Sequence, residues 1–310
     1  DPLRAGDEVI VPAISWATTY YPLQQYGLKL KFVDVDIHTL NYDSYQLEEA
    51  VTDKTRMIVS VNILGNPSPM KQIMRLCEQR ELIHFEDNCE SMGAEINGKQ
   101  CGTFGDVGTY STFFSHHIST VEGGLIVTDD KDLYNRCKSM RSHGWTRDVE
   151  GIYEEETDDF YEKYRFILPG YNLRNQELNS ALGLCQIDKL DGFVAQRRRN
   201  AELFKKLFQD DQRFIIQKEV GRSSWFAFTL ICNEINRMDV LRELARAGIE
   251  HRIITGGCFP CHDVIKYFDS ENHGRLDNAM YAHEQGFFVG NSHKDLTDEL
   301  LYLKEVLSKL

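Results

Sequence analysis

The sequence predicts an α/β fold in which a mostly parallel central sheet carries helices on both faces, followed by a smaller C-terminal α+β domain. Short apolar runs rich in β-branched residues alternate with amphipathic segments through the first 130 residues or so, which is typical of βα units. The chain of 310 residues is long enough for two domains, and we find no internal repeat.

The first part of the chain defines the predicted sheet. We expect strands over 9–12, 30–36, 57–64 and 82–87, and helices over 15–26, 45–51 and 70–80. Ligands bind such sheets at the carboxyl ends of the strands. Asp87 and the 111–120 loop both follow predicted strands, so we expect them to converge.

The later part mixes both element types. We predict helices over 131–143, 175–191, 195–208, 238–247 and 297–310, strands over 224–232 and 249–255, and an exposed excursion over 147–164. These elements divide the chain into a large domain, residues 1–185, and a smaller one, residues 186–310. The strand at 9–12 has no element before it, so we also expect the chain to begin inside a domain.

Composition excludes some classes of function. The net charge of −13 argues against broad nucleic-acid binding, which needs a positive surface. No apolar run has the length needed to span a membrane. The eight cysteines are scattered through the chain, which indicates reduced thiols and a cytoplasmic location rather than a disulfide framework.

The stretch from Tyr110 to Thr128 is where we place the chemistry. Strand-like runs flank a polar loop with two adjacent histidines, His116 and His117, and a Glu-Gly-Gly turn. Histidine has an ordinary pKa of about 6.5, which suits proton transfer near neutral pH. The residues alone leave a catalytic and a structural role open for this pair.

Asp87 and Trp16 each allow two interpretations. The Asp87 carboxylate could face a cationic group of a ligand, or it could cap a helix with Glu90 as its capping-box partner, and the local pattern favours the cap. The Trp16 indole could stack on a planar ligand or fill the core, which is the commoner role.

Two further motifs carry weak signals. Cys258 and Cys261, with His262 and His251 nearby, have partial zinc-ligand spacing, but no second Cys-x-x-Cys pair accompanies them, so we predict no metal site. The arginine run 197–199 is expected to be a solvated helix face.

Six sequence blocks, in order and at consistent spacing, carry a resemblance to a known family. They are Gly6–Ala13, Phe85–Gly93, Ser111–Gly124, Met140–Gly144, Gly170–Arg174 and Ala181–Ile187. Together they resemble the DegT-type nucleotide-sugar aminotransferases, vitamin B6 enzymes of the aspartate aminotransferase fold (fold type I). The resemblance covers nearly the whole chain and implies that fold here.

The chain departs from this family at its defining residue. In the family, a lysine that binds pyridoxal 5'-phosphate covalently lies eight residues before the second glycine of Glu-Gly-Gly, and here that position is His116. The resemblance therefore implies a cofactor held non-covalently, as pyridoxamine 5'-phosphate. The family's sugar 3-dehydratases show the same substitution, which implies removal of the C3 hydroxyl from a 4-keto-6-deoxyhexose with His116 as base.

The resemblance also assigns roles to matching positions. It implies that Asp87 pairs with the pyridine nitrogen, Trp16 stacks on the cofactor ring, and Ser111 binds the cofactor phosphate. Ser115 lies beside the base, and Glu90 could orient it.

Other matching positions concern partners. Asn172 matches a residue that reaches the phosphate of the neighbouring subunit, which implies a homodimer, and His143 and Arg147 are weaker candidates for binding the sugar diphosphate. The resemblance implies L-glutamate as amino donor and a nucleotide-linked sugar as substrate. A GDP-linked sugar is favoured, because the Cys-x-Cys pair of a CDP-linked, iron–sulfur relative is missing.

Two alternatives remain, a lysine-less relative that binds a nucleotide sugar without catalysis and a sugar aminotransferase. The family's Ser-Gly-Thr or Ser-Gly-Ser phosphate loop, which precedes the Gly6 block, is missing from this sequence. We therefore expect a truncated form that holds the cofactor poorly on its own.

Overall fold

The computed structural model describes residues 3–147, 149, 159–162 and 164–310, which contain twelve strands and ten α-helices. The strands are β1 (Glu8–Pro12), β2 (Lys29–Val33), β3 (Thr55–Val61), β4 (Ile83–Asp87), β5 (Glu95–Ile96), β6 (Lys99–Gln100), β7 (Val107–Ser111), β8 (Gly124–Val127), β9 (Phe214–Ile216), β10 (Ala227–Cys232), β11 (Ser270–Asn272) and β12 (Gly286–Gly290). The helices are α1 (Ala17–Gln25), α2 (Ser44–Ala50), α3 (Met70–Arg80), α4 (Lys131–Met140), α5 (Asp159–Glu162), α6 (Glu177–Ile187), α7 (Leu190–Phe208), α8 (Arg237–Arg246), α9 (Asp277–Gln285) and α10 (Thr297–Ser308).

The central sheet confirms the predicted α/β class. Its order is β11-β2-β1-β3-β4-β7-β8, and every neighbouring pair is parallel except β7 and β8, which form an antiparallel edge. The four strands predicted in the first part of the chain are β1 to β4. Parallel pairing brings the ends of β4 and β7, at Asp87 and Ser111, to the same edge of the sheet.

Alternation along β1 shows why the strands are continuously apolar. Val9 and Val11 pack into one hydrophobic cluster, and Ile10, between them, packs into another. Successive side chains of a strand point to opposite faces, so this sheet is covered on both sides and needs apolar residues on both.

A second sheet, with antiparallel order β12-β10-β9, lies in the C-terminal part of the chain. Its cluster includes Phe204 and Phe208 of α7, Phe228 of β10 and residues of α8 and α10. The division after residue 185 stays a prediction. The second sheet lies entirely after that residue, whereas β11 returns to the central sheet.

Two sequence predictions are wrong in this region. The segment 249–255 forms no regular strand; only Arg252 pairs with Phe288 of β12, and a positive φ angle at Thr255 (50°) departs from extended backbone at the end of the segment. The arginine run is not a solvated face, since Arg197 is buried and Arg198 is half-buried. The sequence does not predict four of the elements, namely β9, β11, β12 and α9. Strands β9 and β11 are only three residues long, and the hydrophobic pattern before β12 is weak.

Other observations concern cysteines, metals and membranes. All eight cysteines are free thiols. Within the described ranges, no cluster of three or more His, Cys, Asp or Glu side chains could hold a metal ion, and no helix there is long and apolar enough to cross a membrane. Of the predicted excursion over 147–164, residues 148, 150–158 and 163 lie outside the described residues.

Glu86 of β4 anchors the loop that leads into β7. Its buried carboxylate accepts hydrogen bonds from the backbone N–H groups of Gly102 (2.7 Å), Phe104 (2.5 Å) and Gly105 (2.7 Å). An ionised carboxylate offers only acceptors, so all three donors are satisfied by one side chain.

We expect Glu86→Gln to destabilise the protein by about 2 kcal/mol, because the amide NH₂ would face backbone N–H donors in a buried site. Urea denaturation measures the change. Glu78→Gln, an exposed position on α3, removes the same charge and serves as the control. Equal stability of the two variants would contradict the anchoring role.

Candidate active site

The candidate site lies at the carboxyl edge of the central sheet. Asp87 is the last residue of β4 and Ser111 the last of β7, while α1 begins with Trp16 as its N-cap, shortly after β1 ends. Each segment leaves the sheet at this edge, where ligands of parallel sheets bind. The convergence of Asp87 with the 111–120 loop agrees with the strand register.

The carboxylate of Asp87 is held in a fixed orientation. One oxygen accepts a hydrogen bond from the Thr19 hydroxyl (2.7 Å), and the other accepts from the backbone N–H of Cys89 (3.1 Å). The Thr19 hydroxyl also contacts that of Ser15 (2.8 Å). The helix-cap interpretation of Asp87 is wrong, because the chain continues after it in turns rather than in a helix.

Trp16 does not fill the core. Its side chain is 59% exposed at the start of α1, three residues before Thr19. An exposed indole on the helix whose Thr19 holds the Asp87 carboxylate offers a planar surface to a ligand ring.

The loop after β7 is closed by threonines. The Thr112 and Thr120 hydroxyls lie 2.6 Å apart, and the backbone N–H of Thr120 donates to the Thr112 carbonyl (2.9 Å). A Cβ atom at Gly123 would lie 2.6 Å from the Thr120 hydroxyl, so this turn requires glycine. The Ser111 hydroxyl accepts from the backbone N–H of Phe113 (3.2 Å).

His116 lies between two aromatic rings. Its imidazole makes edge-on contacts with Phe113 (5.8 Å between centroids) and with Phe226 (5.1 Å). Nδ1 is buried and has no hydrogen-bond partner among the residues that the structure describes. Burial lowers the pKa of His116, while the Cys89 carbonyl and the Asp87 carboxylate partly oppose the shift. The imidazole is therefore a neutral base at neutral pH.

His117 has a different environment. It is fully buried, and Nε2 donates to the carbonyl of Ser224 (3.2 Å), so Nε2 carries the proton. Burial and then the charge of Arg197 lower the pKa of His117 well below its ordinary value. Its contacts are those of a packing residue that ties the loop to the C-terminal part of the chain.

Glu90 contacts a different partner from the one expected. Its carboxylate accepts from the backbone N–H of Leu64 (2.8 Å), and the described hydrogen bonds connect it to Leu64 rather than to His116. Burial raises the pKa of Glu90 to about 7, and the nearby Asp87 carboxylate contributes to the rise.

The remaining predicted residues occupy two further regions. Ser115 lines a cavity of about 260 Å³ together with Phe226, Arg252 and Asn291. Asn172 lines a groove of about 1080 Å³ beside the Glu-Gly-Gly turn and α6.

His143 and Arg147 lie further along the chain. The backbone N–H of His143 donates to the Tyr171 carbonyl (2.7 Å), which places it next to Asn172. The Arg147 guanidinium lies over the Trp145 ring at 4.1 Å. The Asp87 carboxylate lies near His116 and is held by Thr19, three residues after Trp16, whereas no described contact joins Arg147 to these residues.

The sequence interpretation missed Thr19, Phe226 and Arg197, which contact site residues directly or through one neighbour. The one sequence signal for Thr19 is its position four residues after Ser15, at the start of a predicted helix. Nothing local distinguishes Phe226 or Arg197, because their contacts join segments about 110 and 30 residues apart.

The raised pKa of Glu90 predicts a pH dependence of stability. Because the folded state binds this proton more tightly than the unfolded state, wild-type protein loses stability as pH rises from about 4.5 to about 7. Glu90→Gln removes that penalty, so its stability relative to wild type should increase over the same range by about 1–3 kcal/mol. Chemical denaturation at pH 5 and pH 8 measures this. A pH-independent difference would contradict it.

Comparison with known proteins gives consistent matches. The model of the DegT/DnrJ/EryC1/StrS aminotransferase family matches residues 2–309. GDP-4-keto-6-deoxy-D-mannose 3-dehydratase of Escherichia coli O55:H7 is 50% identical over 98% of this chain and 81% of its own length.

Solved structures match equally well. A structure of GDP-4-keto-6-deoxymannose-3-dehydratase with bound GDP-perosamine superposes with a TM-score of 0.95 at 50% identity, covering 98% of this chain and 81% of that one. Another, with a trapped PLP–glutamate geminal diamine, has the same TM-score, identity and coverage.

Proposed function

Because the chain belongs to the DegT/DnrJ/EryC1/StrS aminotransferase family, we propose that it works as a sugar 3-dehydratase with pyridoxal or pyridoxamine 5'-phosphate. Its substrate is a nucleotide-linked 4-keto-6-deoxyhexose, GDP-4-keto-6-deoxy-D-mannose by analogy with the similar enzymes. The observation that carries the proposal is His116, a neutral imidazole where the family has its cofactor-binding lysine.

The described residues fit this cofactor. Asp87 offers an oriented carboxylate for a pyridinium N–H, and the exposed Trp16 indole offers a surface for its ring. Ser111 and Ser115 supply hydroxyls on the adjoining loop, and we assign phosphate binding to Ser111. No lysine occurs between Ser111 and Gly124, so this loop holds no amine that could bind the aldehyde covalently.

When bound, the cofactor supplies an amine that condenses with the sugar ketone and a ring that withdraws electrons. Asp87 keeps the ring nitrogen protonated, and a ring nitrogen of His116 accepts the proton that must leave before the C3–O bond breaks. The lowered pKa of His116 keeps it unprotonated and ready for this step at neutral pH. A histidine, unlike a lysine, cannot displace the condensed sugar by forming its own imine.

The overall exchange of the C3 hydroxyl for hydrogen needs two electrons. L-glutamate supplies them and leaves as 2-oxoglutarate, with release of ammonia; the water lost from C3 is balanced by the water consumed in hydrolysis, so no net water is released. Glu90, with a pKa of about 7, can act as either a proton donor or an acceptor beside Asp87. His143 is proposed to contact the sugar diphosphate, and Arg147 to pair with its charge.

Replacement of His116 by Asn should lower kcat by about a thousandfold or more, since the base is lost while the side chain keeps a similar shape. The assay follows 2-oxoglutarate release with the GDP-linked keto sugar, L-glutamate and added cofactor. His38→Asn, at an exposed histidine, is the matched control. A fully active H116N enzyme would refute the role of His116, and a wild-type protein that binds the sugar without turnover would favour the non-catalytic alternative.

We further propose that the protein is a homodimer whose interface includes α6. No residue of α6 is buried, and three of its leucines are exposed apolar side chains: Leu178 (77%), Leu182 (46%) and Leu184 (72%). Large contiguous apolar surfaces on soluble proteins mark interaction sites. Asn172 lies in the groove beside this helix, which fits its expected contact with the neighbouring subunit.

The double substitution Leu178→Glu and Leu182→Glu should convert the dimer to monomers, because it places buried charges at the interface without partners. Light scattering coupled to size-exclusion chromatography measures the mass. Leu301→Glu, at a leucine of α10 with nearly the same exposure as Leu182, should leave the dimer intact. A wild-type monomer, or a double variant that stays dimeric, would contradict this interface.

A cytoplasmic location is also proposed. It rests on the eight free thiols, which persist in a reducing compartment, and on a nucleotide sugar and an amino acid as substrates.

A further inference from the structure

Arg197 of α7 is a buried cation that has no carboxylate partner among the described residues. Its side chain is 4% exposed, and none of the ion pairs formed by the described residues includes it. Nη1 donates to the carbonyls of Phe226 (3.1 Å) and Asn291 (3.0 Å), and Nε is buried with no hydrogen-bond partner in the part of the chain that the structure describes. Burial lowers the pKa of Arg197 to about 10, so it remains charged at neutral pH. An uncompensated buried charge is costly, and buried charges are ordinarily paired.

The contacts of Arg197 lead directly to the candidate base. Phe226, whose carbonyl it holds, packs its ring against His116 (5.1 Å) and His117 (5.8 Å). The backbone N–H of Phe226 donates to the Leu64 carbonyl (2.9 Å), and Leu64 in turn donates to Glu90. Hydrogen bonds therefore hold both the N–H and the carbonyl of Phe226, and its ring packs against the imidazole of His116.

The second residue held by Arg197 supports the same arrangement. The side-chain amide of Asn291 donates back to the Arg197 carbonyl (3.1 Å) and to the Trp225 carbonyl (2.8 Å), next to Phe226. Phe226 and Asn291 both line the 260 Å³ cavity beside Ser115. One guanidinium thus joins α7, the start of β10 and the end of β12 behind the catalytic loop.

We propose that Arg197 is a positioning residue for His116, which fixes the Phe226 ring against the imidazole and disfavours a second positive charge on the histidine. This inference rests on the proposed role of His116 as base. Arg197 itself contacts neither substrate nor cofactor in this account, and acts only through its neighbours.

The electrostatic part follows from the groups that face His116. These are Asp87 from the end of β4, Arg197 from α7 and His117 from the same loop. Burial is the largest cause of the lowered pKa of His116; Asp87 opposes it and Arg197 reinforces it. Removing the charge of Arg197 leaves Asp87 as the nearby charge, so the pKa of His116 must rise and more of the base must be protonated at neutral pH.

The test compares four variants by two measurements. The histidine NMR signal that disappears in H116N is assigned to His116. NMR titration of ¹³C-labelled histidine measures the midpoint of His116, and steady-state assays measure kcat and KM. Arg197→Met removes the charge and keeps the stem, while Arg197→Lys keeps the charge but places it one bond short of the position of Nη1, which bonds both carbonyls. Phe226→Leu removes only the ring. Arg199→Met, at an exposed arginine of the same helix, is the control.

We expect R197M to raise the His116 midpoint and to lower kcat at least about tenfold, with KM for the sugar little changed. R197K should lower kcat without moving the midpoint, F226L should lower kcat, and R199M should change neither kcat nor the midpoint. A midpoint in R197M equal to that in R199M would overturn the electrostatic part. Wild-type kcat in both R197K and F226L would overturn the positioning part. If R197M does not fold, these two variants still test whether Arg197 positions His116. Failure of the base role itself would appear separately, as an active H116N enzyme.

Discussion

Parallel pairing of β4 with its neighbours is the constraint on which this site depends. The register sets Asp87 of β4 opposite Val61 of β3 on one side and opposite Thr109 of β7 on the other. All three strands therefore end at one edge, and the segments that follow them must meet there. The strands themselves are fixed by burial on both faces, as the opposite packing of Val9 and Ile10 in β1 shows. The position of the candidate chemistry is thus a consequence of how the sheet is covered.

On this edge, the surroundings set the properties of each group. The Thr19 hydroxyl and a backbone N–H fix the Asp87 carboxylate, so it is available to a cationic ring nitrogen without moving. Aromatic contacts and burial keep His116 neutral, whereas its neighbour His117 is buried against a carbonyl. Two adjacent residues of the same type thereby acquire different roles. Reaction chemistry in this family depends on one position, and here that position offers a base instead of an amine.

The sequence predicted the parts of the fold that repeat a simple pattern. Strands β1 to β4 stand out as apolar runs because both faces are buried, and the spacing from His116 to the Glu-Gly-Gly turn separated the two histidines. It failed where a contact between distant segments overrides a local pattern. Arg197 is part of a run of arginines that is typical of a solvated helix face, but its buried guanidinium donates hydrogen bonds to the carbonyls of residues 226 and 291. Residues 249–255 have strand-like composition, but only Arg252 pairs with a neighbouring strand, and Thr255 has a positive φ angle.

The central claim is that this chain eliminates a hydroxyl instead of transferring an amine, and the identity of the product tests it most directly. The protein is incubated with GDP-4-keto-6-deoxy-D-mannose, L-glutamate and pyridoxal 5'-phosphate, and the sugar product is analysed by mass spectrometry and NMR. We expect a keto sugar in which C3 carries two hydrogens and no oxygen, formed together with 2-oxoglutarate. A sugar that retains its C3 hydroxyl and carries an amino group at C4 would contradict it.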